Sequence, residues 1–379
     1  MIKSMNFIQR QMQKRIEDSL FKGKIVVIYG ARQVGKTTIV KHFQEKYPDS
    51  VYLNCDEPDV REALTDASSV EIKSFIGDKK LVFLDEAQRV KNIGLSLKLM
   101  VENFPEIQVV ATGSSSFDLS NQISEPLTGR KYEFLIYPFS MQELSVGQSE
   151  ADIDRSIENR MIFGMYPEVA TKSGEEQKEA LKSIAKSYLY KDVLQYQNIK
   201  NPDVLEKLLQ ALALQMGNEV SYGELAEAIR VDKKTVINYI DILEKAFIIF
   251  QLKPFSRNLR NELKKLRKIY FFDNGIRNAL VNNFNPISLR QDVGSLWENF
   301  MISERVKFNN NNNIDNNIYF WRTHDKKEID YIEDRGGKLY AFEFKWKKDK
   351  TKEPKTFLEA YQNSKFEVIN SDNYQKFVL

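Results

Sequence analysis

Sulfur and imidazole are scarce in this chain: among 379 residues there is one cysteine, Cys55, and only two histidines. One thiol excludes a disulfide framework, and so few soft ligands make a zinc site hard to assemble. No apolar run approaches the roughly 20 residues of a membrane-spanning helix, and the N-terminus lacks a signal-peptide core. The opening MIKSMNFIQRQMQKRIEDSL reads instead as a polar, amphipathic helix. A soluble, cytoplasmic protein with no membrane association is expected. A surplus of one charge is also missing, since 56 Lys and Arg face 53 Asp and Glu for a net +3. Bulk charge therefore does not argue for nucleic acid, and only its distribution can. The length exceeds one ordinary domain, so two or three are expected.

What is present is a phosphate-binding pattern. The apolar run Ile25–Tyr29 leads into Gly30, Ala31, Arg32, Gln33, Val34, Gly35, Lys36, Thr37 and Thr38, which fit G-x-x-x-x-G-K-[ST] between a predicted strand and a predicted helix. Glycines let the backbone fold round a phosphate chain while loop and helix N–H groups point inward. Lys36 would reach the β- and γ-phosphates, and Thr37 would hold Mg²⁺. A second apolar run, Leu81–Leu84, ends in Asp85 and Glu86. Two adjacent acids after a buried strand make sense beside a metal and are otherwise costly. Asp85 would hold the Mg²⁺ shell and Glu86 would orient and polarise the attacking water. The pair of motifs implies both binding and hydrolysis of ATP or GTP.

Five apolar runs alternate with helical patterns: Ile25–Tyr29, Val51–Asn54, Leu81–Leu84, Ile107–Ala111 and Tyr132–Ile136. That rhythm predicts an α/β class domain built on a parallel sheet. After the fourth run, Thr112 and Ser114 are candidates to touch the γ-phosphate or the lytic water, although a plain Ser-rich turn explains either alone. Arg130, just before the last strand, could serve a neighbouring subunit's nucleotide in a homo-oligomer, as a permanent planar charge suited to γ-phosphate. It could equally bridge to a local acid.

Helical patterns fill residues 151 to about 198. Ser221 and Glu224 then form a capping-box pattern opening Tyr222–Ile229, a turn follows at Arg230–Asp232, and a second helix covers Lys233–Lys245. The β-prone run Phe247–Leu252 completes the outline of a winged helix. The stretch Lys253–Lys268 carries Arg257, Arg260, Lys264, Lys265, Arg267 and Lys268 against Glu262, which suits phosphate contacts to DNA or RNA; protein contact is the alternative. In the last third an amphipathic helix begins at Ser295, and three strand-like segments follow: Ile318–Arg322, Glu328–Ile332 and Leu339–Lys345. Glu343 and Lys345 share one face of the last, with Phe342 and Phe344 on the other, and Asp330 lies one hairpin turn away. Acid, then acid-x-Lys, can hold Mg²⁺ and activate water against a phosphodiester. The alternative is an ion pair between the same charges.

The order of these parts resembles the prokaryotic AAA+-type ATPases whose C-terminal portion, catalogued as a domain of unknown function, is similar to PD-(D/E)XK nucleases. The stretches that carry the resemblance are GARQVGKTT, VFLDEAQ, ATGSSS, LTGRKYEFLIYPFS, YLYKDV, YFFDNGI, GSLWENF, EIDY and FEFK. It implies an ATP site at Lys36, Thr37, Asp85 and Glu86, and nuclease-like positions at Glu298, Asp330, Glu343 and Lys345, with Asp330 and Glu343 as metal ligands. Gly164 and Pro167 stand three apart where related lids carry Gly-x-Pro, and Ile329 stands where the nuclease signature carries Pro. The expected organisation is an ATPase domain over 1–150, a helical lid over 151–200, a winged helix over 201–256 and a nuclease-like domain over 257–379. The expected function is Mg²⁺-dependent ATP hydrolysis coupled to nucleic-acid engagement. An ATP-regulated nuclease and a non-cleaving, ATP-dependent protein-interaction switch are the alternatives.

Overall fold

A computed structural model describes residues 7–113, 119, 123, 125–188, 201–255, 267–323, 325, 327–348 and 351–379. Ser114, Arg257, Arg260, Lys264, Lys265 and residues 189–193 of the YLYKDV stretch lie outside the described residues. The chain divides into two compact units: 1–138 with 245–247, and 139–244 with 248–379.

The first unit opens with helix α1 (Gln11–Glu17), which buries Met12 and Ile16. It continues through β1 (Ile25–Gly30), α2 (Lys36–Lys46), β2 (Ser50–Asn54), α3 (Pro58–Leu64), α4 (Ser69–Ile76), β3 (Leu81–Asp85), α5 (Ile93–Asn103), β4 (Gln108–Gly113) and β5 (Lys131–Ile136). The five strands form a parallel sheet in the order β2-β3-β4-β1-β5. Every residue of β1, β3 and β4 is buried, as expected of strands covered on both faces. Val27, Leu84, Leu97 and Met100 belong to one core cluster, and burying each such side chain contributes roughly 1.5–3 kcal/mol. Strand β4 lies between β1 and β3, so its C-terminal end stands between the phosphate-loop pattern and the paired acids. Gly30 sits at φ 155°, and a Cβ there would fall 2.2 Å from the Ile136 carbonyl oxygen. Only glycine fits that crossing from strand to loop.

The second unit begins with α6 (Met141–Leu144), α7 (Glu150–Phe163), α8 (Pro167–Ala170) and α9 (Gly174–Tyr188), followed by α10 (Pro202–Leu214). Next come β6 (Glu219–Val220), α11 (Tyr222–Ile229), α12 (Lys233–Lys245), β7 (Ile249–Pro254), β8 (Arg267–Phe271) and α13 (Asn274–Leu280). The last part comprises α14 (Val293–Asn311), β9 (Asn317–Arg322), β10 (Glu328–Arg335), β11 (Lys338–Phe344), α15 (Lys355–Ala360), β12 (Ser364–Ile369) and α16 (Gln375–Val378). All seven strands join one mixed sheet, β12-β11-β10-β9-β7-β8-β6. Strand β8 pairs with both β7 and β6, so it belongs with the helices before it and the expected boundary at 256 cuts through this group. Ser221 accepts from the Glu224 N–H at 3.4 Å, which is one of the two bonds of the expected capping box.

Two local features shape the last part. Gly336 and Gly337, at φ 59° and 84°, close the tight turn between β10 and β11, a geometry glycine adopts without strain. The β9–β10 register slips between Ile329 and Ile332, which both enter the same apolar cluster although three residues apart. Strict alternation over Glu328–Ile332 is thereby broken by a bulge at Asp330 and Tyr331.

Candidate nucleotide site and C-terminal charged cluster

Gly35, at φ 100°, is the N-cap of α2, so the loop turns directly into the helix whose first N–H groups face the loop. Lys36 is buried, and its Nζ donates to the carbonyls of Gly30 at 2.8 Å and Ala31 at 2.9 Å. The Thr37 hydroxyl donates to Asp85 Oδ2 at 2.8 Å. Asp85, itself buried, also accepts from the Tyr52 hydroxyl at 2.6 Å and, on Oδ1, from the Thr112 hydroxyl. Burial raises the Tyr52 hydroxyl far above its ordinary pKa, with the Asp85 bond and charge adding to it, so the phenol remains a donor. Burial likewise pushes the Cys55 thiol up to about 12, with Asp85 contributing, which makes this lone cysteine unreactive.

Glu86 follows Asp85 in the left-handed region, φ 54°, strained for a residue with a side chain. Its N–H donates to Thr112 Oγ1 at 3.2 Å, and its carboxylate accepts from Gln88 Nε2 at 2.5 Å. Thr112 therefore serves both acids at once: it donates to one and accepts from the backbone of the other. These two bonds tie Thr112 to the acid pair. Tyr52 and Gln88 carried no site signal in the sequence, since a strand tyrosine and a loop glutamine read as ordinary surface or core. Arg130 forms an ion pair with Glu102 at 2.9 Å, with both side chains more than a third exposed. The oxygen-rich set of Thr37 and Asp85 fits Mg²⁺, which takes hard oxygen ligands.

In the second unit two of the four positions implied by the resemblance, Glu298 and Asp330, meet on Lys268, while Glu343 and Lys345 pair with each other. The side chain of Lys268 is 3% exposed, and its Nζ lies 3.2 Å from Glu298 Oε1 and 3.9 Å from Asp330 Oδ1, in close contact also with Glu328. The Tyr270 hydroxyl donates to Glu298 at 2.6 Å, the Phe344 N–H to Asp330 at 2.9 Å, and Lys345 Nζ to Glu343 at 2.8 Å. Burial and then the charge of Glu298 push Asp330 up to about 7, against the pull of Lys268. Burial and then Asp330 raise Glu343 as well. Lys268 is therefore withdrawn from the basic stretch in which sequence counted it. Among the described residues, no group of three or more His, Cys, Asp or Glu side chains is arranged to hold a metal ion.

The Gly164 and Asp273 stretches also meet. Asp273 caps α13 by accepting from the Ile276 N–H at 3.2 Å, and it accepts from the Met165 N–H at 2.7 Å. A Cβ on Gly164, φ 75°, would fall 1.9 Å from Asp273 Oδ1, so the glycine is required by packing within this unit. On α12, Lys233, Lys234, Ile237, Asn238 and Asp241 form the exposed face.

Residues 22–145 match the family model described as an AAA domain, and residues 154–287 and 293–377 match two domains of unknown function, DUF8612 and DUF4143. The middle match runs unbroken through the expected boundaries at 200 and 256. An uncharacterised protein of Mycobacterium tuberculosis is 26% identical over 343 residues, covering 89% of this chain and 74% of its own length. One from Methanocaldococcus jannaschii is 26% identical over 388 residues, covering 95% of this chain and 83% of its own length. Among solved structures, a Walker-type ATPase of Pyrococcus abyssi aligns with a TM-score of 0.50 at 16% identity, over 73% of this chain and 96% of that one. The stretch similar to an AAA domain thus falls on the five-stranded parallel sheet and its phosphate-loop pattern, and the fold is that of the Walker-type ATPase.

Proposed function

We propose that the first unit binds and hydrolyses MgATP and that turnover drives engagement of nucleic acid by the second unit. The observation that carries the nucleotide half is the 2.8 Å bond between Thr37 and Asp85 beside buried Lys36, at the N-terminus of α2. Helix N–H groups and an ammonium suit a polyphosphate there. Lys36 would exchange the Gly30 and Ala31 carbonyls for phosphate oxygens. Thr37 and Asp85 would hold the magnesium ion, which, when bound, neutralises charge developing on the transferred group. Glu86, steadied through Gln88 and Thr112, orients and polarises the attacking water. Arg130 serves as a finger for a neighbouring copy's nucleotide, because an exposed pair such as that with Glu102 is worth only about 0–1 kcal/mol and releases easily.

The nucleic-acid half is supported by the order α10, β6, α11, α12, β7, β8 with β8 between β6 and β7, an order compatible with a winged helix. Its second helix of the pair, α12, carries exposed Lys233, Lys234 and Asn238, groups able to meet phosphates and base edges. The test is ATP turnover by the full chain with Mg²⁺, alone and with DNA or RNA. Lys36→Ala is expected to lower the rate by at least about 10²-fold, the scale of losing one charge-stabilising donor, and a nucleic acid to raise the wild-type rate. Equal rates for the variant and wild type would refute the first half. Indifference to both polymers, together with a nucleotide-dependent change in assembly size, would replace the second half with a protein-interaction switch.

A further inference from the structure

The C-terminal acid cluster resembles a metal centre in its residue types but is filled in a different way. Glu298, on α14, and Glu328 and Asp330, on β10, surround the Lys268 ammonium, which β8 delivers from the neighbouring part of the sheet. The Lys268 ammonium lies 5.7 Å from the centre of the Phe320 ring, which shields it on that side. Each carboxylate has a further neighbour: Tyr270 donates to Glu298, the Phe344 N–H to Asp330, and Arg322 Nη1 lies 3.6 Å from Glu328 Oε2. Three carboxylates thus crowd round a single lysine nitrogen whose side chain is 3% exposed. A divalent ion and this ammonium cannot share the space, since each repels the other and both need the same oxygens.

We propose that Lys268 is a built-in cation standing in for the divalent ion, so that the native cluster binds no divalent metal and cuts no phosphodiester. Removing its charge converts Glu298, Glu328 and Asp330 into a divalent-cation site. The inference is independent of the nucleotide site, because every residue it uses lies in the second unit.

Mn²⁺ titration of the full chain by calorimetry tests it, with all proteins in an Asp85→Asn background so that the first unit contributes no site. The parent with Lys268 is expected to bind no Mn²⁺ that Asp330→Asn removes, and to leave DNA and RNA uncut in Mg²⁺ or Mn²⁺. Lys268→Gln is expected to gain one Mn²⁺ bound at least about tenfold more tightly than any parent site, and Lys268→Gln/Glu298→Gln to lose it again. A Mn²⁺ site or cleavage in the parent that Asp330→Asn abolishes would overturn the proposal. So would a folded Lys268→Gln protein that gains no site. The parent measurements stand without the variant, so failure of Lys268→Gln to fold leaves the proposal open to refutation.

Discussion

Thr112→Val is the most revealing single change in the first unit, because it keeps the shape of a fully buried side chain and removes only its hydroxyl. Two bonds go with it: the donation to Asp85 and the acceptance from the Glu86 N–H at 3.2 Å. A bond to a charged group contributes roughly 1.5–3 kcal/mol and a neutral one about 1, so a loss of about 2–4 kcal/mol is expected. Glu86 already stands at positive φ, and the lost N–H bond is one of the contacts that keeps it there. At roughly 3 °C per kcal/mol for a unit of this size, the nucleotide-free melting transition should fall by about 6–12 °C. The assay is scanning calorimetry of the apo protein, following the transition that MgATP raises, alongside ATP turnover. Turnover should fall by at least about tenfold as the water-orienting carboxylate loosens, and Thr112→Ser should restore both. An apo transition unchanged by Thr112→Val, with turnover lost, would mean that the hydroxyl acts on the nucleotide directly, and the positioning argument would fail.

Asp273→Ala leaves the Met165 and Ile276 N–H groups without their buried acceptor and should destabilise the second unit by about 2–4 kcal/mol, read as a lower urea midpoint for that unit. Burial and the Glu298 charge push Asp330 up to about 7, above an ordinary carboxylate, so the folded state holds its proton longer than the unfolded chain does. Stability from this group is therefore greatest below about pH 4 and lost as pH rises through about 7; Asp330→Asn should flatten that slope, and an unchanged pH–stability curve would refute the assignment. Lys233→Glu with Lys234→Glu should weaken nucleic-acid retention and reduce the salt dependence by about one unit of slope per lost phosphate contact. Unaltered retention on heparin or DNA resin would remove α12 from the contact surface.

The architecture of the first unit was legible because its strands are buried on both faces, and such strands read as unbroken apolar runs with acids or glycines at their ends. Leu81–Leu84 followed by Asp85 needed no tertiary knowledge to place. Tyr52 was not legible, because what recruits it is the parallel pairing of β2 with β3, which sets it beside Asp85 and which no local pattern encodes. The helices α11 and α12 were equally clear from the capping serine and the turn between them. Lys268 was misjudged: in one dimension it belongs with Arg267 and other basic residues, whereas strand alternation points it inward, and acids more than 25 positions away decide its role. The Gly164 to Pro167 spacing departs from the Gly-x-Pro of related lids, and the structure ties Gly164 to Asp273, a pairing across more than 100 residues that spacing alone cannot reveal.

Strand β7 runs parallel to β9 at Lys253–Tyr319 and Pro254–Phe320, and the Phe255 N–H adds a bond to the Phe320 carbonyl at 2.6 Å. That short seam stitches the helix-bearing hairpin to the meander carrying Asp330, so neither half owns a free edge at the junction. A stroke applied to either half is consequently delivered to both, and the helices on β6–β8 cannot swivel separately unless those few amide links rupture first.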